Sequence, residues 1–495
     1  MRRIEAAQVR GRVGGRTLRR VLFRAESWPR LPAALLPWLA LAACSGQGGA
    51  PGIPAASCSY ADVSAAIARA APGATVRVPA GRCAWEATLE LGIGISLIGD
   101  GVGRTIITNA VADHGYLIAY QPTDYERNDP VRISGFTFDL GNNGPGILWG
   151  TRGKEAPFTV QTRARIDHNR FQNAADAGYQ AIWNNGDVRG VVDSNEFDAV
   201  AYPIRSDAGT GDADWWDSFG ALELGTAEDN LCFEDNVFTN VTAGIISDCQ
   251  FSGRYLFRYN TISIPADPHG SYPLFDMHGS APPQMWSCFG GELYGNRVVE
   301  ADPYGATLLD QRGGKALVFG NLVVAHDGAS IKVRDEYADS ATPTTGGTQH
   351  VNDSYYWNNW VQRTSLERIA AYISQDCCDC DPACVVGTTA DPACCYNPPD
   401  GLRENVDFFQ DGAPFTGAAG VGCGPAAERP AGCVPGVAYW ATTQPCGAPD
   451  ETSVGAGARE PLAGTLYKCT APDTWTAWYT PLPYPHPLRA ELGDG

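Results

Sequence analysis

The sequence predicts an all-β solenoid, a parallel β-helix entered by a capping helix and followed by a Cys-rich C-terminal region. Three observations carry this reading. An asparagine-centred motif returns at intervals in the twenties, an amphipathic helix runs straight into short strands, and the composition favours turns over helices. The chain has 495 residues with 57 Gly, 35 Pro and only 18% charged residues, which suits one long solenoid with a smaller appendage.

The N-terminus sets the compartment. Residues 1–43 hold nine Arg and two Glu, a charge of +7, which leaves −26 on the remainder of a chain whose formal total is −19. So acidic a body excludes nucleic acid as a partner by bulk charge. A basic stretch (2–30) precedes an apolar run (31–43) that ends Leu41-Ala42-Ala43-Cys44. Small residues ahead of a cysteine resemble the bacterial lipobox. That resemblance implies a signal peptide over 1–43, a lipid on Cys44, export, and attachment to a membrane through that lipid. The apolar run is too short for an ordinary membrane span. Sixteen cysteines fit an oxidising compartment. Residues 44–57 are largely small, Gly/Pro-rich and uncharged and read as a tether.

Domain-forming sequence then begins. Ser59 and Asp62 make a capping-box-like helix start, and Val63, Ala66, Ile67 and Ala70 share one face. Pro72-Gly73 ends the helix, and Thr75-Val76-Arg77-Val78 reads as a strand. Cys58 and Cys83 bracket this unit and are expected to pair. A helix placed before the first coil would cover its open edge.

The repeat follows. It appears as Asp167-His168-Asn169-Arg170-Phe171, Asp193-Ser194-Asn195-Glu196-Phe197 and Glu234-Asp235-Asn236-Val237-Phe238. It continues as Arg258-Tyr259-Asn260-Thr261-Ile262, Tyr294-Gly295-Asn296-Arg297-Val298 and Phe319-Gly320-Asn321-Leu322-Val323, with Tyr356-Trp357-Asn358 as a degenerate copy. The asparagine steps are 26, 41, 24, 36, 25 and 37 residues, one short period interrupted by insertions. Stacked asparagine amides can bond along the axis. The apolar residues three before each Asn, such as Phe233, Phe257, Leu293 and Val318, are expected to form an inward ladder.

With these features the stretch 58–360 resembles the pectate-lyase-like right-handed parallel β-helix superfamily. Ile95-Ser96-Leu97-Ile98-Gly99, then Asp100-Gly101 and Thr105-Ile106-Ile107, resembles its opening coil. The resemblance implies a scaffold that handles polysaccharides. Polysaccharide lyases, hydrolases and non-catalytic adhesins all occur on it, and no full catalytic motif of those families is present to carry over.

Candidate chemistry lies on a second strand of each coil, where outward polar residues converge. The candidates are Asp207, Asp248, Asp276, His278, Asp310, Arg312, Lys332 and Arg334, read as one column grading from acid to base. This pattern suits β-elimination of a uronic-acid glycan, in which the substrate carboxylate is neutralised, a base removes the neighbouring proton and an acid protonates the leaving oxygen. Asp207, Asp248 and Asp310 are the expected Ca²⁺ ligands. Asp276, Arg312 and Arg334 join His278 and Lys332 in the catalytic set, with His278 or Lys332 as the base. Trp215, Trp216 and Trp286, in insertions beside this face, are expected to stack on sugars. Two alternatives remain: a non-catalytic glycan-binding surface protein, and a glycoside hydrolase using the clustered aspartates. The column Asp193, Glu234, Arg258 and Tyr294, two residues before each Asn, reads as a solvated face.

Beyond 360 the ladder stops and cysteines cluster. Cys377-Cys378-x-Cys380 is too crowded for a structural zinc motif, so disulfides are expected. Of Cys232, Cys249 and Cys288 in the helix body, one is expected to be unpaired. The aromatic, Pro-rich end (Trp475, Trp478, Tyr479, Tyr484) resembles small carbohydrate-binding modules. The expected whole is a monomer.

Overall fold

The computed structural model describes residues 52–150, 160–175, 179–207, 224–225, 230–242, 244–265, 273–279, 287–301, 306–334, 350–374, 402–412 and 414–493. Among the described residues three long sheets, A, B and C, of 12, 11 and 10 strands, wind about one axis, a right-handed parallel β-helix. Each coil runs from sheet A to sheet B, through an asparagine turn from Asn169 onward, then to sheet C and back to the next strand of sheet A.

The asparagine turn explains the repeat. The residue before each Asn takes a left-handed conformation, with φ of 52° at His168, 55° at Ser194, 56° at Asp235, 65° at Gly295 and 61° at Gly320. This bend sends the chain from sheet A into sheet B and leaves backbone groups without ladder partners. The Asn side chains supply partners. Asn195 donates from Nδ2 to Asn236 Oδ1 at 3.1 Å, and Asn236 donates likewise to Asn260 at 3.0 Å. The chain of amides runs unbroken from Asn169 through Asn321 to Asn359. The last rung is therefore Asn359, not Asn358, because Asn358 (φ 54°) takes the left-handed position.

Period-two alternation fills the interior. Phe233, Phe257, Leu293 and Val318 stand in register on sheet A and are fully buried. On sheet B, Phe138, Phe171, Phe197 and Phe238 stack with centroids 4.6–5.2 Å apart. The entrance forms as expected. Helix α1, Tyr60–Ile67, is capped by Ser59 Oγ accepting from the Asp62 amide at 3.2 Å, and it buries Val63 and Ala66. Cys58 and Cys83 are disulfide-bonded.

The coils run past both expected ends. Ile53–Pro54, inside the expected tether, already pairs with Thr75–Val78. Beyond 360, Ala371–Ile373 extends sheet C and Phe408–Gln410 extends sheet A.

The C-terminal region is not an independent bead. Its four-stranded sheet is Val421–Gly424, Ala438–Ala441, Thr465–Ala471 and Thr474–Tyr479, stapled by Cys423–Cys446 and Cys433–Cys469. Trp440, Leu466 and Tyr479 pack on the outer face of sheet A against Leu256, Phe319, Tyr355 and Trp357. Helix α2, Pro487–Leu492, packs beside the sheet A strands Gln161–Asp167 and Val188–Asp193. This overturns the solvated-face reading of Asp193, Glu234, Arg258 and Tyr294: all four are fully buried. Arg165 pairs with Asp193 at 2.8 Å and Arg258 with Glu234 at 2.6 Å. From α2, Arg489 reaches both Asp193 and Glu234. The physical reason is that the returning chain supplies the partners that water would otherwise have supplied.

Candidate functional site: the outer face of sheet C

The eight charged candidates do lie together on the outer face of sheet C, but in two columns. Strand register places Arg205, Asp248, Asp276, Asp310 and Lys332 opposite one another in sequence. Two residues on, Asp207 pairs in register with Gln250. Backbone bonds from the His278, Arg312 and Arg334 amides to Cys249, Met277 and Gln311 continue that second column. Asp207 thus stands in the other column from Asp248 and Asp310, and the expected acid-to-base gradient is broken by Arg205 at the acidic end.

The columns pair diagonally. Arg312 forks onto Asp276 with bonds of 3.0 and 2.5 Å, and Arg334 forks onto Asp310 at 3.1 and 2.7 Å. Lys332 Nζ lies 4.0 Å from Asp310. Arg205 bonds Asp207 at 2.9 Å and lies over the Trp183 ring at 4.7 Å, while Trp183 Nε1 donates to Asp207 at 3.0 Å. These acids and both forked arginines are buried, whereas Arg205, His278 and Lys332 keep about a fifth of their side chains exposed (20%, 22% and 17%).

His278 stands at the centre. Its Nδ1 bonds Asp248 Oδ1 at 2.5 Å and lies 3.4 Å from Asp276. Its Nε2 has no hydrogen-bond partner among the described residues. Asp248 also accepts from Gln250 Nε2 at 2.7 Å and from the Tyr202 hydroxyl. Burial alone would lower the His278 pKa, but Asp276 and Asp248 outweigh it and hold the value above the ordinary one. Burial would raise Asp248, but His278, Tyr202 and Arg205 pull it down to about 2. Burial pushes Asp276 up, against the pull of His278 and Arg312. It also pushes Asp207 up to about 6, opposed by Arg205 and Trp183 and helped by Asp248.

The backbone of His278 is pinned. Its amide donates to Cys249 O at 3.0 Å, its carbonyl accepts from the Cys288 amide at 2.8 Å, and Cys249 is disulfide-bonded to Cys288. Among the described residues, Cys232 is a buried free thiol.

Among the described residues, Asp248, Asp276 and His278 are the group close enough to share a cation. One imidazole and two carboxylates, one of them already forked by Arg312, do not supply the six to eight oxygens that Ca²⁺ prefers. Trp215, Trp216, Trp286, Cys44 and the cysteines from Cys377 to Cys395 lie outside the described residues. Sequence reasoning missed Arg205, Tyr202, Gln250 and Trp183. The alternation rule held the signal for two of them, because Arg205 and Gln250 stand two residues from Asp207 and Asp248 and must share their face.

The aromatic C-terminal strands face inward more than expected. Tyr479 is buried and donates to Glu292, Trp478 packs on Tyr355, and the Tyr484 hydroxyl donates to Asp235.

No protein-family model matches the chain, and no curated protein matches it. Among solved structures the chain is similar to ORF18 of Geobacillus virus E2, at 12% identity and a TM-score of 0.33, over 64% of this chain and 58% of that one. The chain thus spans less than two thirds of that protein's length.

Proposed function

We propose that this protein is an exported, lipid-anchored enzyme that cleaves an acidic, uronic-acid polysaccharide by β-elimination on the outer face of sheet C, as a pectate-lyase-like member of the β-helix proteins. One observation carries the reading: His278 is held through Nδ1 by a buried carboxylate, with Nε2 left without a described partner on a partly exposed face. That is the arrangement of a proton-transfer group whose ring and tautomer are fixed.

In this reading neutral His278 accepts, at Nε2, the proton of the ring carbon beside the substrate carboxylate. The electron pair left by that C–H bond forms a carbon–carbon double bond as the neighbouring C–O bond to the leaving sugar breaks. The imidazolium, stabilised by Asp248 and Asp276, returns the proton to the leaving oxygen. Arg205 and Lys332, partly exposed on the same face, are the cations placed to neutralise the substrate carboxylate. Arg312 and Arg334 hold Asp276 and Asp310 in place rather than forking onto substrate. The anchor on Cys44 would hold the enzyme at the membrane while the substrate remains outside.

A second reading, glycan binding without catalysis, is favoured by the forked pairs Arg312–Asp276 and Arg334–Asp310, which saturate both arginines' strongest interaction. The test incubates the protein with pectate, alginate, chondroitin and hyaluronan, each with Ca²⁺ and with chelator. It follows both the ultraviolet absorbance of unsaturated ends and the appearance of reducing ends. Unsaturated ends support elimination, and reducing ends without that absorbance indicate hydrolysis. Neither signal, with the polymer retained by the protein, favours the binding reading.

A further inference from the structure

We propose a second ligand site on the far face of the C-terminal sheet, where Arg429, Tyr467 and Trp475 take the carboxylate of an acidic sugar. In the strand Thr465–Ala471, Leu466 packs toward the β-helix, so Tyr467 points to the opposite side. In Ala438–Ala441, Tyr439 alternates in the same way with Trp440. The short 3₁₀ turn Ala426–Glu428 delivers Arg429 to this face. Its guanidinium carbon lies 4.0 Å over the Tyr467 ring and 5.6 Å from the Trp475 ring. The Trp475 ring is fixed in turn, because its Nε1 donates to Pro430 O at 2.8 Å.

What is missing points to a ligand. Arg429 Nη1 is buried with no hydrogen-bond partner, and no carboxylate among the described residues forms an ion pair with Arg429. Other cations are paired with carboxylates: Lys468 with Asp353, Arg368 with Asp411, and Arg489 with Glu234 and Asp235. In a chain of formal charge −19, acidic partners are plentiful, yet among the described residues this guanidinium lies against the Tyr467 and Trp475 rings and in no ion pair. Stacking over an aromatic ring leaves the planar N–H edge of arginine for a planar acceptor, and a carboxylate fits that fork. Tyr467 and Trp475 are half-buried, so each offers ring surface to the apolar face of a sugar. The disulfides Cys423–Cys446 and Cys433–Cys469 hold the sheet that carries these residues, which lowers the cost of ordering on binding.

The choice of an acidic sugar over other carboxylates rests on the proposed function, but the site itself does not depend on His278. The test therefore uses the full chain carrying His278→Ala, so that no polymer is consumed, in affinity gels cast with pectate, alginate, chondroitin or hyaluronan. At least one polymer is expected to retard the protein, and Arg429→Gln is expected to weaken that retention about tenfold. Arg429→Lys, which keeps the charge but loses the fork, is expected to fall between. Should Arg429→Gln misfold by circular dichroism, Arg429→Lys decides, and retention equal to that of the parent overturns the site. So does full retention by folded Arg429→Gln, or no retention by any polymer. Arg429-dependent retention together with a wild-type protein that releases no product keeps this site and removes the catalytic reading instead.

Discussion

Each asparagine of the ladder satisfies several backbone groups at once. Asn236 is fully buried. Its Oδ1 accepts from the amide and the Nδ2 of Asn195, and its Nδ2 donates to Val192 O and Asn260 Oδ1. Asn236→Ala strands those groups in the interior, and we expect a loss of about 2–4 kcal/mol in denaturant unfolding, against no measurable loss for an exposed control. His278 and Asp248 make a second prediction at this scale. The contribution of His278 is complete below its unfolded pKa, near 6.5, and fades as pH rises through its higher folded value. That of Asp248 is complete above about 3.9 and is lost as pH falls toward about 2. The pair therefore stabilises most between about pH 4 and 6.5. By NMR titration, His278 should have a midpoint above 6.5, and Asp248→Asn should lower it. An unmoved midpoint would show that Asp248 does not govern the ring.

At the scale of elements, the Cys249–Cys288 bond ties the coil carrying Asp248 to the segment that follows His278. Cys288→Ser frees that segment while leaving every charged group in place. It should broaden or shift the His278 resonance and lower its midpoint, with the sheet content by circular dichroism unchanged; an unaltered titration would make the disulfide purely structural. Much of this level was legible in the chain. Alternation and the Asn motif give coil order and the inward ladder, because both follow from the period of a strand and the need to satisfy a turn. The slip from Asn358 to Asn359 was not legible. Two adjacent asparagines can each fill either the left-handed or the ladder position, and only the register of Trp360–Gln362 beneath decides. The split of the site into two columns was hidden for a related reason. Residues i and i+2 share a face, so eight polar residues on one face do not by themselves say which coil lies opposite which.

For the whole molecule, the decisive feature is the return of the C-terminal chain across sheet A. Asp193, Glu234 and Arg258 read the same in sequence whether water or protein covers them, and their cover is supplied from Leu482 to Arg489, more than two hundred residues away. With Arg258 removed, Glu234 keeps Arg489 but loses a fully buried partner. Arg258→Met should cost about 3–5 kcal/mol and expose the C-terminal strands first in hydrogen exchange. Uniform protection with unchanged stability would mean that the cover is held by apolar contacts alone. This cover also separates the molecule's faces: sheet A is occupied by its own chain, while sheet C presents His278.

Whether His278 is the base of an elimination is decided by the release of unsaturated sugar ends as a function of pH, for wild type and for His278→Ala. The rate should rise as pH passes through the His278 midpoint, since the neutral ring is the base, and His278→Ala should abolish it. A wild-type rate in His278→Ala, or a rate that falls as His278 loses its proton, would contradict that role.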